Sequence, residues 1–294
     1  MLLDAGTGSL GGARPKATVR ADDGHLLIAK FPHHHDDWDV GLWEKTALDL
    51  AERGGVEVPR RRLVPIGPGS TLLLERFDRR QDHTRVPYIS ALTLMSGRDG
   101  DTYDYVDLAS ELEEAGAGDD TELAALFRRV VVSVAIHNTD DHLRNTGFLR
   151  APDGWRLSPV FDINPNPDLG AGRQTTISGA DHVDDELEGL MDLAGWCHLS
   201  PDSARQAVSE VTEAMVDWRD IATSNGAQAA QVAAFAETLD HRLRALTELA
   251  GIHTAAVTSL TASAATQPRE ARGTPRGGQF GPKAHAEVDI DLSK

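Results

Sequence analysis

The sequence predicts an α+β protein of two lobes, a small β-rich N-lobe followed by a larger, mostly helical C-lobe. Three observations carry this. Between residues 17 and 75 short alternating or apolar runs are punctuated by Asp23-Gly24 and Gly54-Gly55, the pattern of strands joined by tight turns. The run TELAALFRRVVVSVAI, residues 121–136, then sets Leu123, Phe127, Val130, Val131 and Val134 on one wide helical stripe. Two further helical patterns, residues 201–223 and 227–250, follow, the second with Val232, Phe235, Leu239, Leu243 and Leu246 in phase. At 294 residues the chain is longer than a usual single domain. The expected division is an N-lobe at 1–80, a C-lobe at 81–260, and a tail at 261–294 that loses helical periodicity and is expected to be disordered.

The totals narrow the function classes. A formal charge of -17 argues against a broad nucleic-acid surface, because binding phosphate backbones needs clustered cations. An anionic ligand would have to be met locally. Cys197 is the single cysteine, which excludes an intrachain disulfide framework and a cysteine-based zinc site and fits a small buried thiol in a reducing compartment. No N-terminal signal pattern and no apolar run near the ~20 residues of a membrane span is visible, so the expectation is a soluble, cytoplasmic protein.

Taken in order, SLGGARPK (residues 9–16) brings glycines, a hydroxyl and a lysine ahead of an alternating stretch. Its backbone N–H groups could cradle phosphates, although Gly-Gly alone is weak evidence and is more often an ordinary turn. Residues 17–20 and 25–31 read as a hairpin across Asp22-Asp23-Gly24. Lys30 closes the second strand among apolar neighbours, either as a snorkelling lysine or as a cation shown to phosphates. The HHHDD stretch, residues 33–37, reads as a solvated loop, since contiguous histidines rarely converge on one metal. A helix is expected from Asp39 or Val40 to Arg53, with Trp43, Ala47, Leu50 and Ala51 in phase and Glu44 beside them.

Short strands are expected at 56–59 and 63–66 around Arg60, Arg61 and Arg62. The buried-strand run 71–75 empties into Arg76, Phe77 and Asp78, a natural hinge whose backbone could face a flat ligand. Residues 88–94 and 103–114 suggest helical pieces. The strong helix at 121–136, with Asp119, Asp120 or Thr121 as candidate N-caps, delivers the chain into a polar stretch at 137–167. Within it, residues 148–149 and 155–157 form a hairpin around Pro152-Asp153-Gly154, and the returning strand brings Asp162 near Asp140 and Asn145.

Asp140, Asn145 and Asp162 offer hard oxygen ligands suited to Mg2+ together with a carboxylate able to take a hydroxyl proton. Phosphoryl transfer in protein kinases uses an Asp, an Asn five residues later and a metal-binding Asp after a hairpin, with a strand lysine paired to a helix glutamate. Lys30, Glu44, Asp140, Asn145 and Asp162 follow that order, so a protein-kinase-like fold and site are expected. Asp141 is a second candidate for the base.

At these residues the sequence resembles the HipA-type serine/threonine kinases, toxin components of bacterial toxin–antitoxin pairs. TDDHLRN (139–145), LSPVFDINPNP (157–167), SLGGARPK (9–16), LLIAKFP (26–32) and LLERFDRR (73–80) carry the resemblance, which runs from residue 9 to about 218. It implies an ATP- and Mg2+-dependent kinase with Asp140 as catalytic aspartate and Asn145 and Asp162 as metal ligands. Gly11, Gly12, Ala13, Arg14, Pro15 and Lys16 match the phosphate loop, Lys30 the ATP lysine, and Glu75, Arg76 and Phe77 the adenine-facing hinge. His142 and Phe161 fall on further nucleotide-contacting positions, and Ser9 on the autophosphorylated serine. The resemblance also implies a protein substrate, aminoacyl-tRNA synthetases among them, and a small helix-turn-helix antitoxin. Arg144 stands where lysine is common, keeping the charge and changing the donor geometry. Members usually carry a small N-terminal domain before the serine-glycine loop, which here starts at residue 9; either that domain is a separate polypeptide and a further partner, or the start is truncated, or this branch lacks it. Two other readings remain at this stage: a non-catalytic nucleotide-binding regulator acting through a DNA-binding partner, and a small-molecule kinase.

Overall fold

A computed structural model describes residues 2–3, 14–34, 36–66, 69–80, 82, 84–98, 100–116 and 120–251. Ser9, Gly11, Gly12, Ala13, His35, Asp119 and the tail at 261–294 lie outside the described residues.

The N-terminal part is an antiparallel sheet of β1 (Leu2–Leu3), β2 (Lys16–Arg20), β3 (Leu26–Lys30), β4 (Arg61–Ile66) and β5 (Gly69–Glu75), in the order β1-β2-β3-β5-β4. The β2–β3 turn closes at Gly24, whose φ of 91° is a left-handed value that glycine adopts without strain. Register does the functional placing: Lys16 pairs with Lys30, so directly opposed residues put two ammonium groups on one face at one end of the hairpin.

Helix α1 (Val40–Arg53) starts at Asp39, whose carboxylate accepts the Leu42 N–H at 3.1 Å, and is closed by Gly54. One side of it packs on Leu72 and Leu74 of the sheet in the main core. Its other side meets the C-terminal helices: the Trp43 ring stacks on Phe235 with centroids 3.9 Å apart and lies 6.3 Å from Trp218. A smaller apolar cluster of Val19, Ala29 and Leu73 covers the opposite sheet face. Both lobes therefore share one core, with α1 as the layer between them.

The rest of the chain forms β6 (Tyr88–Ser90), α2 (Ala91–Leu94), β7 (Tyr103–Asp104), α3 (Tyr105–Ala115), α4 (Asp120–Ala135), β8 (Gly147–Ala151), β9 (Gly154–Leu157), β10 (Thr175–Thr176), α5 (Glu186–Trp196), α6 (Pro201–Ala214), α7 (Trp218–Ser224) and α8 (Ala229–Gly251). Strands β6, β8 and β9 make a three-stranded antiparallel sheet, and β7 and β10 pair in parallel. The α+β class with a β-rich N-terminal region and helical C-terminal part is the one expected from sequence.

Four local expectations are corrected. Residues 56–59 form no strand; the Val56 N–H bonds back to Ala51 O at 2.9 Å as the chain leaves α1. Arg61 and Arg62 lie inside β4 rather than ahead of it, because Arg61 pairs with Leu74 and reaches Asp49 and Glu52 on α1, each at 2.7 Å. Residues 88–90 are a strand, drawn out of helix by pairing with β8, and Ser90 then caps the short α2. The helix expected over 201–223 is broken between Ala214 and Trp218. That break lets the Trp218 indole bury beside Trp43 while its N–H reaches Asp240 Oδ1 at 3.2 Å.

Candidate active site

The apolar stripe of α4 buries Leu123, Phe127, Val130, Val131 and Val134, which fixes the helix and the loop that leaves it. His137, at φ 54°, turns the chain, and its Nε2 lies 2.9 Å from Asp168 O. From that turn consecutive carboxylates face opposite ways. The Asp140 side chain is 67% exposed, whereas that of Asp141 is 4% exposed. Asp141 accepts the Tyr105 hydroxyl at 3.0 Å and the Thr175 N–H at 3.2 Å, and faces the Arg173 guanidinium at 3.2 Å. Burial pushes its carboxyl up, against the pull of Arg173. Arg173 passes the chain of charges to Glu186 at 2.8 Å, and Glu186 to Arg242. Asp141 is thus a buried anchor of the loop, and Asp140 is the carboxylate open to solvent. Asn145 folds the loop on itself, its amide N–H donating to Asp140 O at 2.9 Å.

The second half of the site is assembled from β2, β3, α1 and the loop after β9. Lys30 Nζ donates to Glu44 Oε1 at 2.6 Å and to Asp162 Oδ1 at 2.8 Å, and Lys16 Nζ stands 3.6 Å from Asp162 Oδ2. Glu44 Oε1 also accepts the Asp162 N–H at 3.1 Å. Asp162 sits at φ 57°, a left-handed conformation that costs a non-glycine residue energy and that surrounding bonds must hold. Burial opposes ionisation throughout, yet Lys30 and Lys16 hold the Asp162 carboxyl down to about 2. Glu44 and Asp162 likewise hold the buried Lys30 ammonium above its ordinary range. Glu44 shares that one lysine with Asp162, so burial and the neighbouring carboxylate leave its own carboxyl raised.

Around this charge cluster the hinge residues converge unevenly. Phe77 and Phe161 rings lie 5.7 Å apart and both approach Tyr88, at 6.2 and 6.5 Å. Tyr88 was not singled out from sequence; it rests on Gly147, where an added Cβ would come within 2.3 Å of its ring. Glu75 continues the sheet through its N–H to Arg60 O at 2.8 Å. Arg76 turns inward, with bonds of 2.8 and 2.7 Å to Asp78 and a contact of 3.3 Å to Thr18, so its guanidinium serves the hinge itself. His142 Nε2 lies 3.9 Å from Asp140 Oδ1, and its Nδ1 is buried with no hydrogen-bond partner among the described residues. Pro15 O accepts the Phe31 N–H at 3.0 Å, and Arg14 bonds Asp36 at 2.6 Å, tying the end of the glycine loop to the histidine-rich turn.

The donor types, an amide oxygen and a carboxylate, are the hard oxygens that suit Mg2+. With the Asn145 amide N–H engaged by Asp140 O, its carbonyl oxygen is the atom left for a cation, while the Asp162 oxygens face Lys30 and Lys16. Among the described residues no three His, Cys, Asp or Glu side chains form a closed metal cage. A two-ligand site completed by phosphate and water is how Mg2+ is usually held.

The family model of the HipA-like C-terminal domain matches residues 8–219, a span that takes in the glycine loop, Lys30, Glu44, the 139–145 loop and Asp162. The chain belongs to the HipA-like family. Solved structures share its fold, two of them as follows. HipA from the Shewanella oneidensis MR-1 complex of HipA, HipB and operator DNA aligns over 86% of this chain and 67% of its own, at 15% identity and TM-score 0.61. The Helicobacter pylori proinflammatory kinase CtkA aligns over 85% of this chain and 94% of its own, at 14% identity and TM-score 0.61. No curated protein matches the chain in sequence. Family and fold support a kinase-like function. Helix α8 lies beyond the stretch matched by the HipA-like model, yet it supplies Phe235 and Arg242 to the core beneath the site. No helix among the described residues is long and apolar enough to cross a membrane.

Proposed function

We propose that this HipA-like protein is an ATP- and Mg2+-dependent serine/threonine protein kinase that acts as the toxin of a toxin–antitoxin pair. The observation that carries the reading is the convergence of Lys30, Glu44 and Asp162 within hydrogen-bond reach, with Asp140 left exposed on a buried scaffold. In it Asp140 orients the acceptor hydroxyl and takes its proton as the hydroxyl oxygen bonds to the γ-phosphorus of ATP, the bond from that phosphorus to the β–γ bridging oxygen breaks, and ADP leaves. Lys30 and Lys16 draw the phosphates into the cluster, and Asn145 and Asp162 hold Mg2+, which neutralises phosphate charge when bound. Gly11 to Ala13 with Arg14 to Lys16 cradle the phosphates, and Phe77, Phe161 and the hinge backbone at Glu75 and Arg76 receive the base, with His142 nearby. The lobes are assigned as residues 1–80 and 81–260.

The acceptor is a protein hydroxyl, with aminoacyl-tRNA synthetases as the first candidates and Ser9 as the autophosphorylated residue. The Shewanella HipA complex with HipB and DNA supports a small DNA-binding antitoxin as partner. Purified protein incubated with γ-labelled ATP and Mg2+ should label itself at Ser9, and Asp140→Asn should abolish labelling. Undiminished labelling in that variant removes Asp140 from the role of base. Tight ATP binding without transfer to any protein would favour a regulator, and transfer only to a small molecule would change the acceptor class.

A further inference from the structure

The segment 173–176 lies along the 138–141 loop as a strap. Its exposure alternates as a strand's does: Arg173 and Thr175 are buried and Gln174 between them is exposed. The inward residues fasten it, Arg173 to Asn138 O at 3.2 Å and Thr175 Oγ1 to Asp141 O at 2.8 Å. The Gln174 N–H adds a main-chain bond to Thr139 O at 3.1 Å. On its far side β10 pairs with β7, and Asp104 there accepts from Thr176 at 2.6 Å, Ser178 N–H at 3.1 Å and Gly179 N–H at 2.7 Å. With the backbone pinned on both sides, the Gln174 side chain starts from a fixed point. Its amide Nε2 donates to Asp140 Oδ1 at 2.8 Å, and among the described residues it is the hydrogen-bond donor to that carboxylate.

We propose that Gln174 is a positioning residue for phosphoryl transfer, its amide holding the Asp140 carboxylate in the rotamer that meets the acceptor hydroxyl. The proposal rests on Asp140 being the base. An exposed aspartate samples several χ1 and χ2 states, and a general base must lie within hydrogen-bond reach of the proton it takes. Anchoring Oδ1 removes that freedom and leaves Oδ2 to the hydroxyl. The donor is a neutral amide, so it orients the carboxylate without adding a competing cation beside the phosphates.

The test is the rate of self-labelling from γ-labelled ATP and Mg2+ as a function of ATP concentration, in the full chain. Gln174→Met keeps the side-chain volume and loses the donor; Gln174→Glu keeps the shape and sets a like charge against Asp140. The saturating rate should fall about ten- to hundredfold in Gln174→Met, the cost of a loosened near-attack geometry, and further in Gln174→Glu. The half-saturating ATP concentration and Tm should stay at wild-type values. Wild-type rates in both Gln174 variants alongside an inactive Asp140→Asn overturn the positioning role and leave the base assignment standing. A fall in Tm or a matching shift in ATP dependence also overturns it. Wild-type labelling by Asp140→Asn instead overturns the base assignment on which it stands.

Discussion

Lys30 Nζ lies 2.6 Å from Glu44 Oε1 with both side chains less than a tenth exposed, a buried ion pair joining the last residue of β3 to the first turns of α1. Such a pair gives little net stability over an apolar replacement, but breaking it from one side strands a charge away from water. Lys30→Met should therefore lower unfolding free energy by about 3–5 kcal/mol, the usual cost of an orphaned buried charge, and abolish self-labelling. Glu44→Gln, which keeps an acceptor for Lys30, should cost less in the same urea titration. Equal destabilisation by the two variants would show that the remaining amide and Asp162 do not satisfy Lys30 once the Glu44 charge is gone.

Asp162 titrates against the same lysines. Its carboxyl is held down to about 2 in the folded chain by Lys30 and Lys16, against an ordinary value of 3.8. A depressed carboxylate contributes stability that is present above its unfolded pKa and is lost as pH falls through its folded pKa. The window is therefore pH 4 down to 2, and the amount, for nearly two units, is on the order of 2 kcal/mol. Asp162→Asn, compared with wild type in chelator-treated protein by urea unfolding across that range, should lack this part of the acid loss. Parallel stability curves for the two proteins would contradict it.

The legible parts of the chain were those with short-range causes. Helix α4 announced itself through one apolar stripe, and the β2–β3 hairpin through alternation around Asp23-Gly24. Of the expected set, Lys30, Glu44 and Asp162 meet within hydrogen-bond reach, as the pairing of a strand lysine with a helix glutamate led one to expect. What stayed hidden depends on distant partners. Strands β7 and β10 are two residues each and pair across some seventy positions, with no local pattern to mark them. Helix α5 carries Gly189 and Gly195, which dilute its helical signal, yet Gly189 is needed where a Cβ would meet Ile177 O at 2.1 Å. Arg173 and Gln174 look like ordinary surface polar residues until folding sets one beneath Asp141 and the other against Asp140. The same blindness left Asp141 as a rival base, because adjacent aspartates are equivalent on paper and opposite in a turn.

The chain Tyr105, Asp141, Arg173, Glu186, Arg242 predicts a stability phenotype remote from any substrate. Arg173, Glu186 and Arg242 side chains are 1%, 3% and 0% exposed, so Glu186 alone stands between two buried guanidiniums. Burial, with Arg173 as a like charge, lowers the Arg242 pKa despite Glu186. Glu186→Gln should destabilise by about 3–5 kcal/mol, and adding Arg242→Met should recover part of the loss by removing one uncompensated charge. No recovery in the double variant, measured by urea midpoint, would mean that packing of α5 rather than charge balance sets the cost.

Phe235 tests whether α8 is part of the functional unit. Its ring is fully buried, stacked on Trp43 at 3.9 Å and edge-on to Trp38 at 5.4 Å. Trp43 precedes Glu44, so the contact that seats α1 also sets where Glu44 meets Lys30. Phe235→Ala should cost about 3–5 kcal/mol, the range for emptying an aromatic site in a core. At a temperature where the variant remains folded, its rate of self-labelling should still fall, because α1 can shift into the cavity and lengthen the Lys30–Glu44 bond. Phe235→Leu, which refills most of the volume, should restore both. If Phe235→Ala loses stability but labels itself at the wild-type rate, α8 supports the fold without registering the ion pair, and the site is set by the sheet and α4 alone.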